Sequence, residues 1–210
     1  THTIGVIIPN LETTFFSSML GGIQHIAAQS GYRVVICQSE ESHTIEVANL
    51  QALMNNMIDG LLICHTLHTT NFDHLKMQLK RGIPIVQFYR VSDDLDIPKI
   101  YSDDETGAFQ ITEHLINNGS QKIGLLLGPK ALSINKRLNG YLQALNLHGI
   151  EVDDKLIKHV DFSYHAVIEA VDEWLEMDPK IDAIFSISDK CAVQIIRYLK
   201  NKKIMIPHTI

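Results

Sequence analysis

The segment Ile4-Gly5-Val6-Ile7-Ile8-Pro9-Asn10 is the most informative part of the sequence about the fold. Its first five residues form a continuous apolar run, which is typical of a strand buried on both faces of a parallel sheet. The apolar side chains that follow recur at helical spacing: Phe16, Met19, Leu20, Ile23 and Ala27. Gly31 comes next and is a typical stop at a helix C-terminus. A buried strand followed by such a helix predicts the first half of a βαβ unit.

The same alternation of a short β-branched run and a longer helical pattern recurs along the chain. Further strands are predicted at residues 33–37, 61–64, 83–88, 100–102, 123–127, 156–160 and 183–187. Pro84, near the start of one of them, is typical of an early or edge position in a sheet. Strands that alternate with helices imply right-handed βαβ units, so we expect an α/β fold with parallel sheets and helices on both faces.

A polar segment at residues 92–98, with three aspartates and a proline, interrupts the alternation and is typical of a loop. It predicts two similar doubly wound parallel-sheet lobes, an N-terminal lobe at residues 1–101 and a C-terminal lobe at residues 102–210. In open parallel sheets, ligands bind beyond the carboxyl ends of the strands. The residues that follow each predicted strand are therefore the candidate ligand contacts.

Composition places the chain among globular proteins. Of its 210 residues 45% are hydrophobic and 20% are charged, and the formal net charge is -6. A surface that neutralises DNA phosphates needs an excess of Lys and Arg, so this chain alone is a poor nucleic-acid binder. No apolar run is long enough to span a bilayer, and no signal peptide is visible. Cys37, Cys64 and Cys191 show no CxxC spacing, which favours free thiols in a reducing cytoplasm.

Motifs for cofactors and catalysis are absent from the sequence. No GxGxxG, P-loop or GxSxG pattern follows a strand, so we expect neither a cofactor nor an enzyme. His65, His68 and His74 share one segment, but their spacing fits no known zinc motif, and we expect a polar loop without a metal. Asp103-Asp104-Glu105 precedes a helix, where acidic residues cap N–H groups and complement the helix dipole, with ligand contact possible in addition.

Three candidate ligand contacts each have a structural alternative. Phe16 fits the apolar stripe of its helix and is expected in the core, whereas Phe15 is offset from it and either stacks on a ligand or packs locally. Arg137 follows the Gly128-Pro129 loop and either binds a ligand through its guanidinium fork or pairs with an acid such as Asp161. Phe162 is either an aromatic wall of the cleft or a helix staple.

These features resemble the effector-binding core of the LacI/GalR family of transcriptional regulators and, more distantly, periplasmic sugar-binding proteins of the same type I fold. The matching pieces follow one another in order along essentially the whole chain: 4–10 with Phe15-Phe16, 58–63, Ser102-Asp103-Asp104 with Gly107, Gly128-Pro129, 137–141, and 182–185 with Ser188-Asp189. Each piece is weak alone, and their order makes the resemblance specific.

The resemblance implies a two-lobed core that binds a small polar effector, such as a sugar or sugar derivative, in the cleft between its lobes. It also implies a homodimer in the cytoplasm that binds operator DNA through an N-terminal headpiece outside this sequence. The ligand-binding residues expected from strand ends and resemblance together are Asn10, Thr14, Phe15, Tyr89, Arg137, Phe162, Ser188 and Asp189.

The chain departs from the family pattern at three places. Ser188 stands where the family has Asn, and Tyr89 stands where it commonly has Asp. Family cores also continue beyond the position of Ile210 with another strand and an acidic ligand contact, so the second lobe is expected to be incomplete. The main alternative function is a periplasmic sugar-binding protein of an uptake or chemotaxis system. An enzyme, or a core that senses a protein or a purine, are further alternatives.

Overall fold

The structure is a computed structural model that describes residues 1–11, 14–129 and 132–210, without the side chains of residues 132–135. The chain divides into two compact units, Thr1–Ser102 and Asp103–Ile210. Both units alternate strands with helices, and every strand pairing in them is parallel. The predicted α/β class with parallel sheets is therefore confirmed.

The first unit contains, among its described residues, a five-stranded sheet in the order β2-β1-β3-β4-β5. Its elements in chain order are β1 (Thr3–Ile8), α1 (Thr14–Gln29), β2 (Arg33–Gln38), α2 (His43–Asn55), β3 (Gly60–Ile63), α3 (Asp73–Lys80), β4 (Ile85–Phe88) and β5 (Lys99–Ile100). Strand β1 pairs with both β2 and β3, which places the apolar run of the sequence at the centre of the sheet.

Burial on both faces of β1 explains that continuous apolar run. Ile7 lies in one cluster with Leu50 and Leu53 of α2, whereas Val6 and Ile8 lie in another with side chains of α1. A Cβ on Gly5 would come within 2.8 Å of the end of the Ile58 side chain, so a larger residue there would displace that side chain. Helices therefore cover both faces of the sheet, and the carboxyl ends of the strands stay at one edge.

The second unit contains, within the part of the chain that is described, a three-stranded sheet in the order β7-β6-β8. Its elements are α4 (Asp104–Asn117), β6 (Ile123–Leu127), α5 (Leu132–Leu147), a 3-10 turn (Asp154–Leu156), β7 (Ile157–His159), α6 (Tyr164–Glu176), β8 (Ala183–Ser186) and α7 (Asp189–Asn201). One apolar cluster joins the sheet to α4 and α5, and a second joins it to α6 and α7.

Helices α4 and α5 approach each other closely at Gly140. A Cβ at this position would lie 2.1 Å from the backbone oxygen of Glu105 and 2.8 Å from the backbone nitrogen of Phe109. Only glycine permits that separation without a shift of one helix. Because Arg137 lies one turn before Gly140 on α5, the close approach also brings its side chain to the first turn of α4.

Several predicted strands have different limits, and three of them are informative. The strand expected at 83–88 begins at Ile85, and the carbonyl oxygen of Pro84 accepts a hydrogen bond from the Leu61 amide at 2.9 Å. Since β4 lies between β3 and β5, the proline marks an early position and not an edge. The strand expected at 100–102 comprises only Lys99–Ile100, and that at 156–160 begins after Leu156, which ends the 3-10 turn.

Two further properties bear on function. Cys37, Cys64 and Cys191 are free thiols, as expected, and Cys64 and Cys191 are fully buried. None of the helices in the described ranges is both long and apolar enough to cross a membrane.

Candidate ligand-binding site

Aromatic rings gather at the strand ends of the first unit. The Phe15 and Tyr89 ring centroids lie 4.6 Å apart at 58°, and those of Phe16 and Tyr89 lie 5.7 Å apart at 83°. Such offset and edge-to-face contacts are favourable for aromatic pairs. Phe16 is only 4% exposed, as predicted for a core residue, whereas Phe15 is 47% exposed. The structure thus brings two predicted ligand contacts, Phe15 and Tyr89, together, with Phe15 about half exposed.

Tyr89 owes its position to the turn that follows β4. Its backbone has φ 61°, which is uncommon for a residue other than glycine, and its amide donates to the carbonyl oxygen of Ile100 at 2.8 Å. The left-handed backbone ends the strand and directs the ring toward α1. Sequence reasoning placed Tyr89 at the site but did not find this contact, because no pattern in the sequence predicts a positive φ at tyrosine.

Arg90 ties the strand ends together directly beside this aromatic group. Its Nη1 donates to both carboxylate oxygens of Glu41 at 2.9 and 2.8 Å and to the carbonyl oxygen of His65 at 3.2 Å. Glu41 in turn accepts from the Leu67 amide at 2.8 Å. The loops after β2, β3 and β4 are therefore joined through one partly buried ion pair, which the sequence analysis missed.

Asn10 lies just beyond the carboxyl end of β1, and Thr14 is the first residue of α1. Asn10 is half-buried, and Thr14 is exposed. The carbonyl oxygen of Thr14 accepts from the Ser17 hydroxyl at 3.0 Å, so its backbone belongs to the first turn of the helix. The role of both residues as ligand contacts stays a prediction.

Arg137 is the polar centre of the second unit's strand ends. Its Nη2 lies 3.2 Å from Oδ1 of Asp104, and its Nη1 donates to the carbonyl oxygen of Ile187 at 3.4 Å. Arg137 does pair with an acid, as its structural alternative expected, but the partner is Asp104 and not Asp161. Hydrogen bonds from the Ser163 side chain and from the Ser163 amide, the latter at 2.9 Å, lower the pKa of the Asp161 carboxyl group. The Arg137 side chain is 23% exposed, so it is not fully enclosed by the protein.

The predicted cap before α4 is present. Asp103 is the N-cap residue, and its side chain accepts from the Thr106 amide at 3.1 Å. Hydrogen bonds from the Thr106 side chain and from this amide lower the pKa of the Asp103 carboxyl group. Asp104, the next residue, is the partner of Arg137. The acidic stretch thus begins the helix and also holds the guanidinium. Sequence reasoning identified the first role and did not identify the second.

Phe162 lies over the end of β6. A Cβ on Gly128 would come within 2.2 Å of its ring, and the carbonyl oxygen of Gly128 is 2.9 Å from Nδ1 of His159. Phe162 has φ 65° and precedes Ser163, the N-cap of α6. It also packs against the apolar cluster that contains Val167. These contacts fit the staple alternative, and a role as a ligand wall stays a prediction.

Ser188 and Asp189 begin α7 directly after the carbonyl group that Arg137 contacts. Ser188 is the N-cap residue, but its side chain makes no capping hydrogen bond. Its amide instead donates to Oγ of Ser186 at 3.4 Å. Asp189 is exposed in the first helical turn. The structure therefore groups Arg137, Ser188 and Asp189 at one edge of the second sheet.

A buried polar group in the first unit could hold a metal ion. His43, Glu46 and His74 place one potential ligand atom each within 4.8 Å of the others, and His65 is adjacent. The spacing of His65, His68 and His74 in the sequence predicted a polar loop without a metal. His68 is exposed and lies outside the group, which instead contains His43 and Glu46 from α2. No short sequence motif could have identified this group, since Glu46 and His74 are 28 residues apart in the sequence.

Comparisons with known proteins agree with this architecture. The family model described as periplasmic binding proteins and sugar binding domain of LacI family matches residues 1–210. Catabolite control protein A of Priestia megaterium is 30% identical over 210 residues, which are 99% of this chain and 63% of that protein. The HTH-type transcriptional repressor CytR of Escherichia coli is 30% identical over 207 residues, which are 98% of this chain and 60% of the repressor.

A solved structure shows the same likeness. The complex of the transcriptional regulator CelR with cellobiose aligns with 100% of this chain and 65% of its own chain, at a TM-score of 0.84 and 25% sequence identity. The chain thus spans less than two thirds of the length of each of these proteins. Because the family model covers all 210 residues, this chain belongs to the family of periplasmic binding proteins and LacI-family sugar-binding domains.

Proposed function

We propose that this chain is the effector-sensing core of a transcriptional regulator, and that its effector is a small polar molecule, a sugar or sugar derivative. The observation that carries the proposal is the match of the whole chain to a family model whose description includes the sugar-binding domain of LacI regulators. Curated relatives named as a control protein and a repressor favour a regulator over a periplasmic uptake protein.

The chemistry of the strand ends supports a carbohydrate-like ligand. A sugar ring offers apolar C–H faces and hydroxyl edges. The exposed ring of Phe15 beside Tyr89 suits the faces, and the partly exposed guanidinium of Arg137 suits adjacent hydroxyl groups. The structural relative that was solved with cellobiose adds support for the ligand class. A cleft that contains all eight predicted residues remains part of the proposal.

The whole protein is proposed to act as a cytoplasmic homodimer that binds operator DNA through a segment outside this chain. The net charge of -6 supports this division, because DNA phosphates need an excess of basic side chains. Effector binding would shift the population of the DNA-binding state through a difference in affinity between two conformations. No enzymatic step is part of the proposal.

A melting-temperature screen of the whole protein tests the ligand class. The screen would compare simple sugars, disaccharides, sugar acids and nucleobases at matched concentrations. A ligand at 100 times its Kd stabilises the folded state by about 2.7 kcal/mol, which gives a clear increase in melting temperature. We expect the increase with one sugar or sugar derivative. An increase with nucleobases alone would contradict the proposed ligand class.

A further inference from the structure

The carboxylate of Glu46 in the first unit is fully buried, with three imidazole rings close to it. Glu46 lies one turn into α2, and its side chain is 0% exposed. Its Oε1 is 3.0 Å from Nε2 of His74, 3.9 Å from Nδ1 of His43 and 3.9 Å from Nδ1 of His65. Three nitrogen atoms from α2, α3 and the loop after β3 thus surround one oxygen atom.

Two of these nitrogen atoms have no hydrogen-bond partner among the residues that the structure describes. Nδ1 of His43 and Nδ1 of His65 are both buried without a hydrogen bond. The His65 side chain is 95% buried, being 5% exposed. A buried polar atom without a hydrogen-bond partner is unfavourable, so two such atoms close to the same oxygen need an explanation. A shared ligand would supply it.

The hydrogen bonds of Gln87 determine which nitrogen of His65 is available. The amide of Gln87 is oriented by Ser92, whose N–H donates to Oε1 at 2.8 Å and whose carbonyl oxygen accepts from Nε2 at 3.1 Å. Oε1 of Gln87 is therefore an acceptor, and Nε2 of His65 at 2.7 Å must be the donor. In the neutral ring, Nδ1 of His65 then carries a free lone pair.

The surroundings of the carboxylate resemble the outer shell of a metal site. Metal-ligating imidazoles commonly donate their other N–H to an oxygen, as His65 does to Gln87. Oε2 of Glu46 accepts from the Thr66 amide at 3.0 Å and from Oγ1 of Thr69 at 3.1 Å, which orients the group and leaves Oε1 for the imidazoles. Gln87 thus positions the His65 imidazole, and Thr66 and Thr69 position the Glu46 carboxylate, through hydrogen bonds from outside the cluster.

The contacts of the carboxylate support the same conclusion. The described groups within reach of Glu46 are imidazoles, an amide and a hydroxyl group, without a lysine or arginine side chain among them. Buried charged groups are usually paired with an opposite charge or coordinate a metal ion. A divalent cation would supply the opposite charge here.

We propose that His43, His74, Glu46 and His65 form a binding site for a divalent transition-metal ion of the Zn²⁺ class. Imidazole nitrogen with carboxylate oxygen is a donor set suited to Zn²⁺ and Co²⁺, whereas Mg²⁺ and Ca²⁺ prefer oxygen ligands alone. Binding requires Nε2 of His74 to release its proton. The site does not use the predicted effector contacts, so it stands or falls independently of the proposed function.

A bound ion would require the ligand atoms to move closer together. In a tetrahedral site with bonds of about 2.0–2.1 Å, neighbouring ligand atoms lie about 3.3 Å apart. His43, Glu46 and His74 already place their atoms within 4.8 Å of one another. The His43 side chain is 35% exposed at the start of α2, so it can rotate toward the ion and also leaves a path for entry.

Cobalt titration tests the site directly. The whole protein, freed of any histidine tag and of metal, would be titrated with Co²⁺, whose visible ligand-field bands report four-coordinate binding, and Zn²⁺ would then displace it. We expect one saturable site per chain in this spectrum. The variants His43→Gln and His74→Gln should each weaken Co²⁺ binding by about 10-fold or more. The matched control His68→Gln, an exposed histidine of the same segment, should leave it unchanged.

A second measurement guards against misfolded variants. His43 is partly exposed, so His43→Gln should keep the metal-free melting temperature of the wild type. Zn²⁺ should raise the melting temperature of the wild type and raise that of His43→Gln less. The proposal would be overturned by the absence of a saturable four-coordinate band, or by the same affinity in wild type and a His43→Gln/His74→Gln double variant. Either result would mean that Glu46 and His74 form a structural pair only.

Discussion

Arg137 and Asp104 form a partly buried ion pair, with Nη2 of the arginine 3.2 Å from Oδ1 of the aspartate. The same guanidinium donates to the carbonyl oxygen of Ile187 at the end of β8. Arg137 therefore links α4, α5 and the segment before α7, and its side chain is 23% exposed. An arginine held by two protein contacts is pre-organised, so binding of a ligand hydroxyl costs little additional side-chain conformational entropy.

Arg137→Ala should weaken effector binding by about 10- to 150-fold, because a hydrogen bond to a charged group contributes about 1.5–3 kcal/mol. Arg137→Lys should restore only part of the affinity, since an ammonium group lacks the planar fork. Calorimetric titration with the effector found by the melting screen measures both values. Unchanged affinity together with a lower melting temperature would mean that Arg137 serves only the ion pair with Asp104.

Phe15 and Phe16 provide a matched pair of neighbouring rings. Phe15 is 47% exposed and Phe16 is 4% exposed. Phe15→Ala should weaken effector binding with little loss of stability. Phe16→Ala should instead lower the free energy of unfolding by about 3–5 kcal/mol, as is typical for a buried ring. Denaturant unfolding and calorimetry on the two variants separate these effects. Equal affinity of the wild type and Phe15→Ala would remove Phe15 from the site.

The close approach of α4 and α5 predicts opposite effects at two glycines. A Cβ at Gly140 would lie 2.1 Å from the Glu105 backbone oxygen, whereas a Cβ at Gly107 would meet nothing within 4 Å. Gly140→Ala should destabilise the protein by about 1–3 kcal/mol and weaken effector binding through Arg137. Gly107→Ala, within α4, should raise the free energy of unfolding by up to about 1 kcal/mol. Chemical denaturation of both variants checks this; equal effects would refute the close packing.

The thiols should differ in reactivity. Burial raises the pKa of Cys64 to about 12, and its side chain is 0% exposed. At neutral pH the thiolate, which is the reactive form, is therefore scarce as well as inaccessible. Labelling with a thiol reagent should modify Cys64 only after unfolding, and the partly exposed Cys37 should react first. Mass spectrometry of the labelled peptides measures the order. Rapid labelling of Cys64 in the native protein would show that β3 is not buried as described.

The sequence predicted the elements well where hydrophobic periodicity decides the structure. The apolar run of β1 predicted burial on both faces, and the offset between Phe15 and Phe16 predicted which ring is in the core. Contacts between distant segments were not predictable from spacing. The pairing of Arg137 with Asp104 depends on the helix approach at Gly140, and the cluster around Glu46 depends on strand order. The roles of the eight predicted ligand contacts stay predictions.

The proposed function requires that a small polar effector controls DNA binding by the whole protein. Fluorescence anisotropy would measure the affinity of the whole protein for an operator selected from a random DNA pool, with and without the sugar found by the melting screen. We expect the sugar to change operator affinity by about 5- to 150-fold, the usual range of allosteric coupling, and to have little effect on Arg137→Ala at the same concentration. A sugar that binds the wild type tightly and leaves operator affinity unchanged would contradict the account.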